Sequence, residues 1–294
     1  MALRNDGPWA RFRADFAESR LAMAGLVLLL AIVIVSVLAP FISPQNPYDL
    51  AQLDVMDSKL APGEPSADGR TYWLGTDDQG RDMLSGIFYG LRISLGVGVA
   101  STVFALAIGL ALGLVAAYFG GWVDTLIMRV VDIQLSFPAI LIALILLAVL
   151  GQGVDKIVVA LVTVQWAYYA RTVRSSALVE RQKEYIEAAR VLALSEVRVV
   201  FRHLLPNCLP PLIVVATVQV AHAIILEATL SFLGLGLPIT EPSLGLLISN
   251  GFQYLLSGKY WISFYPGLAL VLTIMAINLV ADQLRDVLNP RLRK

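Results

Sequence analysis

The stretch RTVRSSALVERQKEYIEAARVLALSEVRVVFRHLLP, residues 171–206, is a polar island inside an otherwise apolar chain. It holds seven of the 22 Lys and Arg residues, and apolar runs long enough to enter a bilayer flank it on both sides. Connections between helices usually have about 2–8 residues, so this basic, helical loop is more than a connector. The pattern predicts a surface on the cytoplasmic side of a membrane where another protein docks. A solvated amphipathic loop on the lipid headgroups is the alternative.

The composition indicates an integral membrane protein. Of 294 residues, 57% are hydrophobic and 15% are charged, whereas soluble domains carry about 25% charged residues. The formal net charge is zero, which gives no global basic field for nucleic acid. The one cysteine, Cys208, excludes an internal disulfide and a multi-cysteine metal cluster. We interpret it as a small apolar residue near a helix start.

Apolar segments predict an all-α fold with six transmembrane helices. The first, 22 residues long, exceeds the core of a removable signal peptide, about 7–15 residues, and is predicted to be a retained span. Pro138 is expected to bend the third. The six predicted spans are 21–42, 93–118, 124–150, 155–170, 208–233 and 262–284.

Lys and Arg residues concentrate in the tail 1–20, the island 171–206 and the tail 285–294. With six spans these three segments share one side, and basic segments favour the cytoplasm. Both termini are therefore predicted to be cytoplasmic. Residues 43–92 are predicted to be an extracytoplasmic segment that leads into the second span, and 234–261 an external loop that lies on or dips into the membrane.

Within the island, a first short helix is predicted over residues 184–192. Glu184 and Glu187 lie near its start, where negative charge suits the helix dipole. Ala188 and Ala189 are small enough to let another surface approach closely. This helix is therefore the part of the island best suited to contact a partner.

A second helix is predicted from Glu196 to Leu205, with Ser195 as its N-cap. Because Pro206 cannot continue a regular ladder of hydrogen bonds, this helix is expected to end before it. Two short helices at an angle, connected to a span at each end, can transmit the movement of a partner protein to the membrane-spanning helices.

The sequence contains none of the motifs of a catalytic or nucleotide site. It has no G-x4-G-K-[ST] loop for phosphates, no H-E-x-x-H, no G-x-S-x-G and only two histidines. We therefore expect no catalytic residues, no metal and no cofactor in this chain.

Ionisable groups inside a membrane span indicate function by default. Gln219, His222 and Glu227 lie along one broad face of the fifth span. One interpretation is a polar stripe that lines a translocation path. The other is structural, with Glu227 accepting hydrogen bonds from a partner subunit or from helix ends. The sequence leaves both open.

Three further patterns concern packing. Arg129 and Asp132, spaced i,i+3, predict an ion pair, and the G-x-x-x-G at Gly109 and Gly113 permits close helix contact. The third is a polar group before the second span, which either anchors an external partner or caps the span: Asp77, Asp78, Arg81 and Asp82.

The island resembles the EAA loop of the membrane subunits of ABC importers. Glu187, Ala188 and Ala189 match its Glu-Ala-Ala, and Leu205–Pro206 matches its later Leu-Pro. The family usually has Gly where this chain has Ala193, and Ile where it has His203. The substitution of Ala for Gly is expected to weaken slightly the sharp turn between the two helices.

The resemblance covers roughly residues 20–294. It is to the dipeptide, oligopeptide and nickel-type ABC importers, and specifically to the permease subunit with an extra N-terminal span. Similar segments occur in the same order and spacing: WLGTDDQGRD (73–82), LRISLGVG (91–98), FRHLLPN (201–207), LSFLGLGLP (230–238) and NLVADQLRDVLNPRLR (278–293).

This resemblance implies a type I importer permease fold in the bacterial cytoplasmic (inner) membrane, with a five-helix core at 93–284. It implies four partner chains: a homologous second permease, two ATPases that use ATP and Mg, and an extracytoplasmic binding protein. It also implies that the island is the ATPase-coupling loop, through Glu184, Glu187, Ala188, Ala189, Ala193, Ser195, Leu205 and Pro206.

Within that family, di- or oligopeptides are the commonest cargo, and nickel chelates, glutathione and opines are the alternatives. A carrier driven by an ion gradient is the rival class. Such carriers often show inverted repeats and membrane carboxylates. Here no repeat is visible and Glu227 alone supports that class.

Overall fold

The computed structural model describes residues 7–66 and 69–288, and these contain helices and two isolated β-bridges but no strand. A π-helical turn, Val199–Leu204, joins the eighth and ninth helices. The α-helices in chain order are α1 Pro8–Ala17, α2 Arg20–Ile42, α3 Met83–Phe119, α4 Gly121–Leu135, α5 Ala139–Leu150, α6 Val154–Glu180, α7 Glu184–Val191, α8 Glu196–Arg198, α9 Leu205–Phe232, α10 Leu244–Phe252 and α11 Trp261–Leu288.

Four helical stretches of the described residues are long and apolar enough to cross a membrane: α2, α3, the run from α8 through α9, and α11. The bent pair α4 and α5 would make a fifth. Helix α6 is long, but Gln165, Arg171 and Arg174 interrupt its apolar character. Length and composition therefore support four or five spans where the sequence predicted six.

The predicted single third span is two helices. They meet at an angle of 88° across residues 136–138, and Pro138 is the extended residue that precedes α5 (φ −58°, ψ 127°). Proline offers no backbone N–H, and the residue before it disfavours helical geometry. The chain therefore stops one helix at Leu135 and starts another at Ala139, which is a sharper change than the expected kink.

Helix α3 begins at Met83, well before the predicted start at 93. Asp82 caps it, since its Oδ2 accepts hydrogen bonds from the backbone N–H and the hydroxyl of Ser85 at 2.9 and 2.6 Å. Arg81 pairs with Asp77 at 2.7 Å, and both are buried. Of the two roles considered for this polar group, the structure gives Asp82 the capping role and leaves the Asp77–Arg81 pair inaccessible to a partner.

Helices α3 and α6 form the most extensive helix interface. A Cβ added to Gly109 would lie 2.5 Å from the carbonyl oxygen of Trp166, and one added to Gly113 would lie 2.6 Å from that of Ala170. The G-x-x-x-G pattern thus marks the place where the backbones of α3 and α6 touch. Any larger residue there would collide with main-chain atoms.

The external loop predicted over 234–261 contains a buried helix. In α10, Leu244 and Leu247 are 0% and 1% exposed, and the helix packs against α3, α9 and α11. A Cβ added to Gly245 would lie 2.3 Å from the carbonyl oxygen of Ala228. Helix α10 is therefore inserted among the long helices.

Candidate functional site

Two arginines of the polar island bind carboxylates of α4. Arg174 makes a two-pronged ion pair with Asp124, at 2.5 Å from Nε to Oδ1 and 2.6 Å from Nη2 to Oδ2. Arg171 contacts Asp132 Oδ1 at 2.5 Å. The predicted partner of Asp132 was Arg129, which is on the same helix. The structure corrects this prediction, because the packing of α4 against α6 brings Asp132 to Arg171.

Two more basic residues are engaged at the start of the loop. Arg181 Nη1 donates to the carbonyl oxygens of Ala117 and Tyr118, at 2.8 and 3.1 Å, and so satisfies carbonyls that the last turn of α3 leaves free. Lys183 pairs with Glu180 at 2.5 Å. Three of the seven basic residues, Arg171, Arg174 and Arg181, therefore fasten α3, α4 and α6 together, whereas Lys183 pairs locally with the last residue of α6.

The prediction that the island is a basic docking surface is wrong for Arg174 and Arg181, which are half-buried in these contacts, whereas the side chains of Arg171 and Lys183 stay 53% and 51% exposed. Residues 171–180 are also helix rather than loop, because α6 runs to Glu180. Arg198 and Arg202 are exposed, and the side chain of Arg190 lies outside the described part, as do Arg4 and the basic residues 289–294 of the terminal tails.

The loop instead exposes acidic and apolar side chains. Val191 and Leu192 are 86% and 73% exposed. Exposed apolar side chains of this kind mark a surface that contacts another protein or the membrane. We call this surface the exposed face of the loop, and its members are Glu184, Glu187, Ala188, Val191, Leu192, Val197 and Phe201.

The opposite side of α7 is bound to the body of the chain. Ile186 and Ala189 are buried, at 1% and 4% exposed. The Tyr185 hydroxyl donates to Glu180 Oε2 at 2.6 Å, and burial, followed by this hydrogen bond, raises the pKa of Tyr185 above its ordinary value. Of the two alanines expected to face a partner, only Ala188 is exposed.

The turn between α7 and α8 is made by Ala193 in a left-handed conformation, with φ of +52°. The N–H of Leu194 reaches back to the carbonyl of Ala189 at 3.2 Å, and that of Leu192 to Ala188 at 3.0 Å. This geometry is a helix C-cap of the kind that normally uses glycine. Ala193 therefore forms the sharp turn at a conformational cost.

Replacing Ala193 by glycine is expected to stabilise the protein by about 0.5–1 kcal/mol, because glycine adopts positive φ without the steric penalty of a Cβ. Thermal unfolding in detergent measures the change. Ala188→Gly is the matched control, since the same substitution inside helix α7 should destabilise by about 1 kcal/mol. If the melting temperature shifted equally and in the same direction for both variants, the left-handed conformation of Ala193 would not be the cause.

The second helix of the loop does not end before Pro206, and this prediction is corrected. Ser195 starts α8 in an extended conformation, without a side-chain cap bond. The π-helical turn leads directly into α9, where Pro206 occupies the first turn. The loop is therefore continuous with one helical run from Glu196 to Phe232.

That run borders a groove between α6 and α9. Gln219 and His222 both line a cavity of about 480 Å³, and Gln219 Oε1 lies 2.8 Å from His222 Nδ1. Gln219 is 6% exposed, whereas His222 is exposed. Two of the three polar residues predicted for the fifth span thus lie together on one wall.

Glu227, the third, is separate from this groove. It is fully buried, and its carboxylate accepts hydrogen bonds from Ser94 of α3 and Ser231 of α9, both at 2.8 Å. The side chain of Ser243, which caps α10, also faces the carboxylate. These contacts support the structural interpretation, with partners from this chain rather than from a second subunit.

Replacing Glu227 by leucine is expected to cost about 1–3 kcal/mol for each serine hydroxyl left unpaired, whereas Glu227→Gln retains an acceptor and should cost less. Neither change should alter which substrate is carried, because residue 227 does not reach the groove. Thermal unfolding and transport are measured together. Altered selectivity with unchanged melting would place Glu227 on the path after all.

Other groove residues were missed by the sequence reasoning. Gln165, Tyr168 and Thr172 of α6 and Arg285 of α11 also line the cavity. Gln165 carried a detectable signal, since it is an uncharged polar residue inside an apolar run. Arg285 carried no such signal in the sequence, because it lies among the basic residues of the C-terminal tail.

A multispanning helical chain, in which one continuous helical run joins an exposed loop to a groove, has the architecture of a transport permease. The chain belongs to the family of binding-protein-dependent transport system inner membrane components, which it matches over residues 109–294. Residues 7–62 match the N-terminal transmembrane domain of oligopeptide transport permease C.

The relatives extend this similarity over nearly the whole chain. A putative peptide transport system permease protein of Brucella suis is 41% identical over 92% of this chain and 87% of its own length. The dipeptide transport system permease protein DppC of Alkalihalophilus pseudofirmus is 36% identical over 97% and 91%. The glutathione transport system permease protein GsiD of Pectobacterium atrosepticum is 35% identical over 97% and 92%.

Solved structures confirm the fold of an ABC importer permease. The chain is similar to the MetNI methionine ABC transporter in an inward-facing conformation, with a TM-score of 0.57 and 23% identity, over 70% of this chain and 98% of that chain. An amino acid ABC transporter gives a TM-score of 0.54 at 13% identity, over 69% and 94%.

Proposed function

We propose that this chain is one half of the pore of an ATP-driven importer for di- or oligopeptides. The observation that carries the proposal is the continuous helical run from Glu196 to Phe232. It joins the exposed face of the loop to the groove that contains Gln219 and His222. The peptide and dipeptide permeases among the relatives support the choice of cargo.

The exposed face of the loop is where an ATPase subunit docks in this proposal. ATP and Mg act on two such subunits, and this chain contributes no catalytic residue and no cofactor. The docked loop takes two discrete positions, and each position favours one of two arrangements of the membrane helices. Because α8 continues into α9, displacement of the loop also displaces one wall of the groove.

The proposed assembly includes a homologous second permease and an extracytoplasmic binding protein. We count six spans, with α6 among them because it packs between α3, α5 and α9. This number places both termini in the cytoplasm and the permease core at 93–284 in the bacterial inner membrane, in contact with lipid.

Glutathione is the second candidate cargo, because a relative of nearly full coverage is named for it. Nickel chelates and opines remain further alternatives without a specific structural observation. A carrier driven by an ion gradient is disfavoured, since Glu227, the carboxylate that suggested it, is paired with serines away from the groove.

Purification of the tagged chain from its own membranes, followed by mass spectrometry and reconstitution, tests the proposal. A second permease and two ATPases are expected to co-purify, and liposomes containing the assembly should take up a labelled dipeptide only with ATP and the binding protein. Transport by this chain alone, without ATP, would overturn the proposal.

A further inference from the structure

The groove between α6 and α9 contains a buried hydrogen-bond acceptor without a donor. Gln165 is 3% exposed, and its Nε2 donates to the carbonyl oxygen of Gln219 at 3.3 Å. A carbonyl only accepts, so this contact fixes the amide with Oε1 as its other atom. Among the described residues, nothing donates to Oε1.

His222 supplies a second acceptor on the same wall. The carboxamide oxygen of Gln219 lies 2.8 Å from its Nδ1, so Nδ1 carries the hydrogen. In a neutral imidazole, Nε2 is then the acceptor. The ring is exposed and lines the cavity. Gln219 thus orients Gln165 through its main-chain carbonyl and His222 through its side-chain carboxamide.

The remainder of the lining points to the kind of ligand. No carboxylate lines the cavity as described, and Arg285 is its one charged residue. The hydroxyls of Thr172 and Thr229 already donate to carbonyls of their own helices, at 2.9 and 2.8 Å. A buried acceptor left unpaired is costly, so the group that completes this wall must bring hydrogen-bond donors.

We propose that Nε2 of the exposed His222 accepts a hydrogen bond from an N–H group of a peptide as it passes along the groove, and that Gln165 Oε1, which is covered in this conformation, accepts a second one when α6 and α9 move apart. This inference rests on the proposed function and specifies its site. Peptide N–H groups recur in every sequence, so such acceptors recognise a peptide without selecting its side chains. The assignment adds Gln165 to the substrate path.

The test compares two cargoes in the reconstituted importer with saturating binding protein: trialanine and the same peptide N-methylated at its peptide nitrogens. Gln165→Leu and His222→Phe each remove one acceptor. Each is expected to slow ATP-dependent uptake of trialanine about three- to tenfold, the range for one hydrogen bond. Uptake of the methylated peptide should change much less. His222→Gln, which retains an acceptor, should restore most of the rate.

Thr217→Val is the matched control, because it lies on α9 outside the cavity lining and its hydroxyl already donates to the carbonyl oxygen of Ile213 at 2.8 Å. It should transport both peptides as the wild type does. Equal losses for the two peptides, or no loss for either, would overturn the inference. If Gln165→Leu fails to assemble, the exposed His222 provides the same test. Failure of the wild type to import any peptide would instead overturn the proposed function.

Discussion

Replacing Glu187 by lysine is expected to abolish most ATP-dependent uptake while leaving the chain folded and inserted. Glu187 lies in the first turn of α7 and is exposed, beside the exposed Ala188. Reversal of a charge at a docked surface typically weakens association by several kcal/mol, so a loss of about tenfold or more in uptake is expected. The helix dipole also disfavours a cation at this end.

The measurement combines uptake with ATPase co-purification and the melting temperature. Gln182→Lys is the control, because it introduces the same side chain into the same loop at an exposed position outside α7. Reduced ATPase recovery with unchanged melting is the result expected for Glu187→Lys alone. Normal uptake together with normal co-purification would remove α7 from the docking surface.

Replacing Gly109 by leucine is expected to prevent assembly of the helical bundle. A Cβ at this position would already lie 2.5 Å from the Trp166 carbonyl oxygen and 2.5 Å from Tyr169 Cβ. Backbone atoms cannot move aside as a flexible side chain can, so α3 and α6 must separate. Overpacking of this kind costs about 3 kcal/mol or more, and most of the interface is lost with it.

Gly96→Leu tests the specificity of that effect. Gly96 is on the same helix, but no atom lies within 4 Å of the position its Cβ would take. Size-exclusion profiles in detergent and the yield of membrane-inserted protein distinguish the two variants. A monodisperse, stable Gly109→Leu protein would show that α3 and α6 do not meet as described.

Local patterns predicted the parts of the structure that depend on neighbours in sequence. The apolar runs predicted an all-helical chain, and the break at Pro138 follows from the backbone limits of proline. The turn at Ala193 was expected from the resemblance alone, because alanine disfavours positive φ. Helix lengths were less predictable. Hydropathy detects only the apolar part of a helix, and it therefore missed the capped start of α3 at Met83 and the charged end of α6 at Glu180.

The contacts of charged and polar side chains were the least predictable. Arg174 meets a carboxylate 50 residues away, and Arg171 one 39 residues away. No periodicity encodes such distances, because they depend on how α4 folds against α6. The contacts of Glu227 were equally unpredictable. Its position in a span was evident from the sequence, but its hydrogen bond with Ser94 depends on how α3 packs against α9.

The ion pairs at the base of the loop affect the interpretation of a mutational scan. Alanine at Arg174 or Arg181 removes a half-buried contact to α4 or α3, so a loss of transport there is expected to report misfolding. The same loss at Leu192 or Val197, whose side chains are 73% and 69% exposed, reports a missing partner. A scan that scores transport alone would merge these two groups, and protein abundance scored in parallel would separate them.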